Sequence, residues 1–241
     1  TIRREWERAG AYQAVAELFD EIWVFGDSND TETLIDGGPL AQVASKVHSC
    51  GRIGHLEAPS SPWPGSPSGD QKPVVLVTGG GGRDAAPLVR TYMDAVSFFR
   101  PAVTSHVVLG PDFPPNDRAR LAFTTREGLT VADFVPDLPD RLARSSVIVS
   151  MAGYNTVCEI LASGRPAVLV PRITPREEQL LRARRWQRDG RIRMIDPREL
   201  SPQALWTAVE QLLDAPPVAG REFHGGQVAA CRAAALLGGR T

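Results

Sequence analysis

Lysine is almost missing from this 241-residue chain: of its 27 basic residues only Lys46 and Lys72 are lysine. The arginine excess is read as genomic base composition rather than as function. Cysteine is scarce as well. Cys50, Cys158 and Cys231 stand far apart with no CxxC pair. That spacing implies neither a disulfide framework nor a zinc ribbon and suits a reducing compartment, the cytoplasm. Long apolar runs are absent; Val74 to Val77 is typical, and far too short to span a bilayer. The first segment is a charged amphipathic helix, without the basic and then apolar stretch of a signal peptide. Neither sign of charge dominates, with 27 basic and 28 acidic residues and a net charge of -1. The balance argues against a polybasic nucleic-acid or membrane binder and leaves a local basic pocket open. His48, His55, His106 and His224 form no HExxH pattern, and there is no GxSxG elbow. No Asp-x-Asp pair is present to carry a metal on a diphosphate. No metal and no cofactor is expected.

What is present suits a packed core: 42% of residues are hydrophobic and 23% charged. Residues 59–73 read PSSPWPGSPSGDQKP, a composition that sustains neither helix nor central strand and reads as a linker. Before it come a helix over Arg3 to Phe19, a strand over Ile22 to Phe25, a polar loop over Gly26 to Asp36, a short helix over Pro39 to Lys46 and a strand near Arg52 to Leu56. That is too little for a core of its own, so residues 1–58 read as the remnant of a second α/β domain. With Thr at position 1, the expectation is a piece of a longer chain or one subunit of a split protein. After the linker, short apolar strands alternate with helices from Val74 onward. Strands of about four apolar residues without alternation suit parallel strands covered on both faces. The expected fold of residues 74–241 is a doubly wound, mostly parallel, Rossmann-like α/β sheet.

Three motifs carry chemistry. Gly79, Gly80, Gly81, Gly82 and Arg83 follow a strand and precede a helix; glycines let backbone approach an anion, and the helix N-terminus supplies free N–H groups. A tight βα turn in any α/β protein has the same look. Ser150 to Glu159 is the second strand-to-helix turn. Gly153 permits the turn, Tyr154, Asn155 and Thr156 open the helix, and Glu159 sits where a carboxylate can grip ribose hydroxyls. The third, Val170-Pro171-Arg172 through Glu178 and Gln179, offers sugar-binding side chains or merely an acidic helix start.

In combination and order these motifs resemble the C-terminal, donor-binding half of GT-B glycosyltransferases of the glycosyltransferase 28 class. The signatures are Ala152-Gly153-Tyr154-Asn155-Thr156-Val157-Cys158-Glu159 and Val170-Pro171-Arg172 with Glu178-Gln179 and Arg182-Ala183. The resemblance implies that Gly79 to Gly82 form a first phosphate loop, that Gly153 to Thr156 hold the diphosphate, and that Glu159 takes the ribose. It also sets Val135, in Asp133-Phe134-Val135, against the base, and Glu178 and Gln179 against the donor sugar. The implied reaction moves a sugar from a nucleoside-diphosphate sugar, UDP expected, to a hydroxyl acceptor, without metal and with inversion. Arg83 or Arg172 would steady the departing diphosphate. The catalytic base lies in the family's other half, and no residue here is assigned to it. The chain is accordingly expected to bind donor and to turn over slowly by itself, needing its acceptor domain or a partner subunit. Peripheral membrane association of the full protein stays open, as do donor sugar and acceptor. Two alternatives remain at this point: an epimerase or hydrolase of related fold, and a non-catalytic donor-binding subunit.

Overall fold

The computed structural model describes residues 2–54, 72–121, 127–188 and 190–238. They fall into two compact units, one of residues 1–54 with 222–241, the other of residues 55–221. Most of the expected linker, and Leu56 of the expected second strand, lies outside the described residues.

In the smaller unit the single helix expected over Arg3 to Phe19 is two helices, α1 (Ile2–Arg8) and α2 (Ala11–Leu18). The break is Gly10, in the left-handed region at φ 64°, which ends one helix and starts the next. Strand β1 (Ile22–Val24) follows. The expected polar loop is helix α3 (Ser28–Ile35). Its residues lack apolar periodicity, but Asp30 accepts a hydrogen bond from the Asp27 N–H at 2.9 Å and closes the first turn. A 3-10 turn (Ala41–Lys46) leads to β2 (Val47–Ser49), which pairs in parallel with β1. Strand character thus falls before the expected Arg52. Arg52 is buried and makes a bidentate pair with Asp27 (2.8 and 3.1 Å) and a bond to Asp30 (3.2 Å).

The larger unit is a six-stranded parallel sheet. In chain order its elements are β3 (Val74–Thr78), α4 (Ala86–Phe99), β4 (Thr104–Val108), α5 (Pro115–Leu121), β5 (Leu129–Ala132), α6 (Leu138–Arg144), β6 (Val147–Ser150), α7 (Tyr154–Ser163), β7 (Ala167–Leu169), α8 (Glu178–Gln187), β8 (Ile192–Met194) and α9 (Pro202–Leu213). The spatial order is β5-β4-β3-β6-β7-β8. The chain therefore starts in the middle, runs outward one way, and returns to β6 beside β3 before running outward the other way. Every residue of β3 and β6 is buried, as their unbroken apolar runs require. Val75, Val77, Val147, Val149 and Val168 face a core layer built with α4 and α9. The alternate residues Leu76, Ile148 and Leu169 are equally buried and face the opposite layer, as the pleat dictates. The doubly wound sheet expected from the sequence is thus what forms.

The last helix, α10 (Gly225–Gly238), belongs to the smaller unit although it ends the chain. Gly225 donates to the Arg52 carbonyl at 2.9 Å, and a Cβ there would meet that oxygen at 2.5 Å. Arg232 grips Glu21 with two bonds of 2.8 and 2.7 Å. The domain bounds expected from sequence put residues 222–241 in the nucleotide-binding domain, while the family resemblance allows the helix near Gln227 to Leu237 to cross back onto the other half; in the structure those residues group with residues 1–54.

Candidate active site

Parallel strands point their carboxyl ends the same way, and a crevice opens where neighbouring strands send their chains to opposite sides. In this sheet that point lies between β3 and β6. The two turns singled out in the sequence leave these two strands. Gly80, at φ 61°, sits so close to α7 that a Cβ on it would stand 3.0 Å from the Thr156 hydroxyl oxygen. The two turns therefore share one rim.

The four consecutive glycines divide into two roles. Gly79 and Gly82 turn toward the loop after β4: a Cβ on either would lie 2.5 Å from the Leu109 carbonyl. Gly110 completes this backbone-on-backbone contact, its Cβ position 2.2 Å from the Gly80 carbonyl. Asp112 locks the two loops by donating its N–H to the Gly81 carbonyl at 2.8 Å. Gly80 and Gly81 are the more exposed pair, whereas Gly79 and Gly82 are buried. The Gly80 N–H is taken by the Thr78 hydroxyl at 3.2 Å. Among the described residues the N–H groups of Gly81 and Arg83 make no hydrogen bond. Arg83 is exposed and lies 3.6 Å from Asp112.

Helix α7 starts at Gly153 without a side-chain cap. Among the described residues the N–H groups of Asn155 and Thr156 are unpaired as well. An uncapped helix start carries partial positive charge and aims its donors outward. Glu159 is half-buried and stands three residues beyond Thr156, on the same side of the helix. Ser150 behaves differently from its expected role as a ligand contact. It is fully buried and donates its hydroxyl to the Thr78 carbonyl at 3.0 Å, stitching β6 to β3 beneath the crevice.

The third motif reaches the same rim. Arg172, beyond β7, donates to Asp84 at 3.2 Å and to Glu178 at close range. The Glu178 carboxylate, and after it Asp84, favour the charged guanidinium and raise its pKa above the ordinary arginine value. Gln179 accepts the Arg172 backbone N–H at 3.1 Å, which orients its amide. At the far side Gly110 donates to the Asp133 carbonyl at 2.9 Å, so the loop carrying Val135 joins the row. Val135 itself is buried, whereas neighbouring Phe134 is largely exposed.

One residue had no role assigned from sequence. Arg182, on α8, donates to the Ala152 carbonyl at 2.7 Å and places its guanidinium 5.6 Å from the centre of the Tyr154 ring. It braces the turn before α7 from outside. Its spacing was a usable signal, because Arg182 lies one helical turn after Glu178 and Gln179. Among the described residues no cluster of three or more His, Cys, Asp or Glu is placed to hold a metal, and no helix is long and apolar enough to cross a membrane.

The glycosyltransferase family 28 C-terminal domain matches residues 74–222. A UDP-N-acetylglucosamine--N-acetylmuramyl-(pentapeptide) pyrophosphoryl-undecaprenol N-acetylglucosamine transferase of Leuconostoc mesenteroides is 28% identical over 184 residues, 76% of this chain and 48% of the relative. The chain thus spans about half the length of that curated relative. Among solved structures, MurG of Acinetobacter baumannii aligns at a TM-score of 0.57 and 18% identity, covering 86% of this chain and 68% of that one. A glycotransferase of kitacinnamycin aligns at 0.56 and 21% identity, over 71% of this chain and 42% of that one. These likenesses give the fold alone, that of the GT-B glycosyltransferases. By the span of the family match, which takes in every element of the larger unit from β3 to α9, this chain belongs to glycosyltransferase family 28.

Proposed function

We propose that the chain supplies the donor site of a glycosyltransferase that moves a sugar from a nucleoside-diphosphate sugar, UDP in the first instance, to a hydroxyl acceptor in the cytoplasm. The observation that carries this reading is the closeness of the two N–H-rich turns: a Cβ on Gly80 would already meet the Thr156 hydroxyl oxygen at 3.0 Å. A diphosphate set there meets the N–H groups of Gly81, Arg83, Asn155 and Thr156 and the positive end of α7. Glu159 follows on the same helix face and takes the ribose hydroxyls. Val135 lines the place of the base, and Glu178 and Gln179 reach the sugar. Ser150, Gly79 and Gly82 support this cradle from beneath and beside rather than touching the ligand.

The chemistry follows from the charge. The acceptor oxygen forms a bond to the anomeric carbon while the bond from that carbon to the diphosphate oxygen breaks. The electron pair of that bond leaves with the nucleoside diphosphate. Stabilising it is the task of the two turns, with Arg172 adjacent. The acceptor proton passes to a base on the acceptor side, which this chain's donor residues do not provide.

Calorimetry against uridine, thymidine and other nucleoside diphosphates and their sugars tests the reading. One uridine or thymidine diphosphate should bind clearly better than the purine ones. Glu159→Ala should weaken binding by about tenfold, the loss of a charged hydrogen-bond acceptor. Equal binding of all nucleotides, or an unchanged Glu159→Ala variant, would count against it.

A further inference from the structure

Both arginines named at the rim of the candidate donor site are paired with carboxylates. Arg83 lies 3.6 Å from Asp112, which stands in the loop after β4. Arg172 is held by Asp84 at 3.2 Å and by Glu178 at close range. Two guanidinium groups thus meet three carboxylates, and all five side chains are partly or largely exposed. Asp112 is tied to the first turn by its backbone as well. Its N–H donates to the Gly81 carbonyl at 2.8 Å. Its carboxylate oxygen Oδ2 would stand 3.9 Å from a Cβ on Gly81. Gly81 and Arg83 are the residues of this turn whose N–H groups, among the described residues, make no hydrogen bond. A carboxylate is therefore anchored beside donors that suit an anion.

A carboxylate in that place works against tight anion binding, and its repulsion grows with the charge of the ligand. The two ligands of a sugar transfer differ in that charge. Joined to the sugar, the diphosphate is a diester with about two negative charges near neutral pH. Transfer leaves the electron pair of the broken bond on the terminal phosphate. The released nucleoside diphosphate then ends in a monoester, whose second ionisation near pH ~6 brings it to about three charges. This inference rests on the donor-site reading above. We propose that Asp112 is a specificity-determining residue of that site: it weakens binding of the nucleoside diphosphate product more than that of the nucleotide-sugar donor, and so favours exchange of product for donor.

Calorimetry on the whole 241-residue chain tests it, parent against Asp112→Asn. The probes are UDP and its β-methyl ester, a diester with the donor's charge and no sugar. The variant keeps the side-chain shape and the N–H bond to Gly81 and loses the charge. UDP should bind about eightfold tighter and the ester about fourfold tighter, at about twofold per ligand charge over a screened distance of about 6 Å. Raising the salt to about 0.5 M should shrink both gains, because the charges are exposed. A loosened loop weakens binding, so a gain separates a charge effect from a structural one. Should Asp112→Asn fail to fold, Asp84→Asn, which removes the carboxylate next to Arg83, is read by the same measure. A parent that binds neither probe removes the donor-site reading and this inference with it. A parent that binds both, with a folded variant that binds UDP no tighter, gains equally for both probes, or keeps its gain at high salt, overturns this inference alone.

Discussion

A Cβ on Gly80 would stand 3.0 Å from the Thr156 hydroxyl oxygen, across the gap between two neighbouring strand tips. A side chain at Gly80 would therefore crowd the start of α7, and its absence leaves the two anion-ready turns side by side. Clearances of this kind also separate the glycines of the first turn by what a methyl group would do at each.

Gly80→Ala forces a left-handed residue against Thr156 and should weaken nucleotide binding by about tenfold with a modest loss of stability. Gly81→Ala meets only Asp112 at 3.9 Å and should fold as the parent does. Gly82→Ala, at φ 93° and 2.5 Å from a backbone carbonyl, should cost about 2 kcal/mol or more. Thermal melts and calorimetry on the three variants check the order. Equal stability of the Gly81 and Gly82 variants would refute the division of roles.

Arg182→Ala removes the brace on the Ala152 carbonyl and the Tyr154 ring. Nucleotide affinity should fall by about tenfold, because the turn before α7 loses a charged donor that holds its shape. The melting temperature should move little, since Arg182 is only half-buried. A variant that melts far below the parent, with its remaining folded fraction binding normally, would make Arg182 a structural residue only.

Tyr92 is fully buried and shares a 2.7 Å hydrogen bond with Ser105. Burial pushes its phenol pKa well above the usual range. Tyr92→Phe leaves the Ser105 hydroxyl buried without a partner and should cost about 1–2 kcal/mol. The double variant Tyr92→Phe with Ser105→Ala should recover part of that loss. Urea unfolding monitored by circular dichroism measures both.

In the smaller unit the Arg232 guanidinium, with the Trp23 indole N–H, lowers the Glu21 pKa from 4.5 to about 2. A folded-state value below the unfolded one means that the pair stabilises fully above about pH 4.5. That contribution fades as the pH falls toward about 2. The stability gap between parent and Glu21→Gln should therefore be constant near neutrality and close across that window. Urea midpoints of both proteins, followed by tryptophan fluorescence over a pH series, give the gap. A gap that does not change with pH would remove the carboxylate as its source.

Local sequence determined the alternation of buried strands and amphipathic helices, and with it the doubly wound class. Runs such as Val74 to Val77 and Val147 to Val149 are apolar without alternation, which leaves them no exposed face. It also determined where the anion-ready turns fall, because glycine and an uncapped helix start are short-range properties. Tertiary structure alone decided that Gly79 and Gly82 pack against the loop after β4 while Gly80 lies beside Thr156 and Gly81 stays exposed. It alone engaged the Ser150 hydroxyl inside the sheet and set Arg182 against the Ala152 carbonyl. Those outcomes depend on strand order and on contacts between segments distant in the chain, which residue periodicity does not encode.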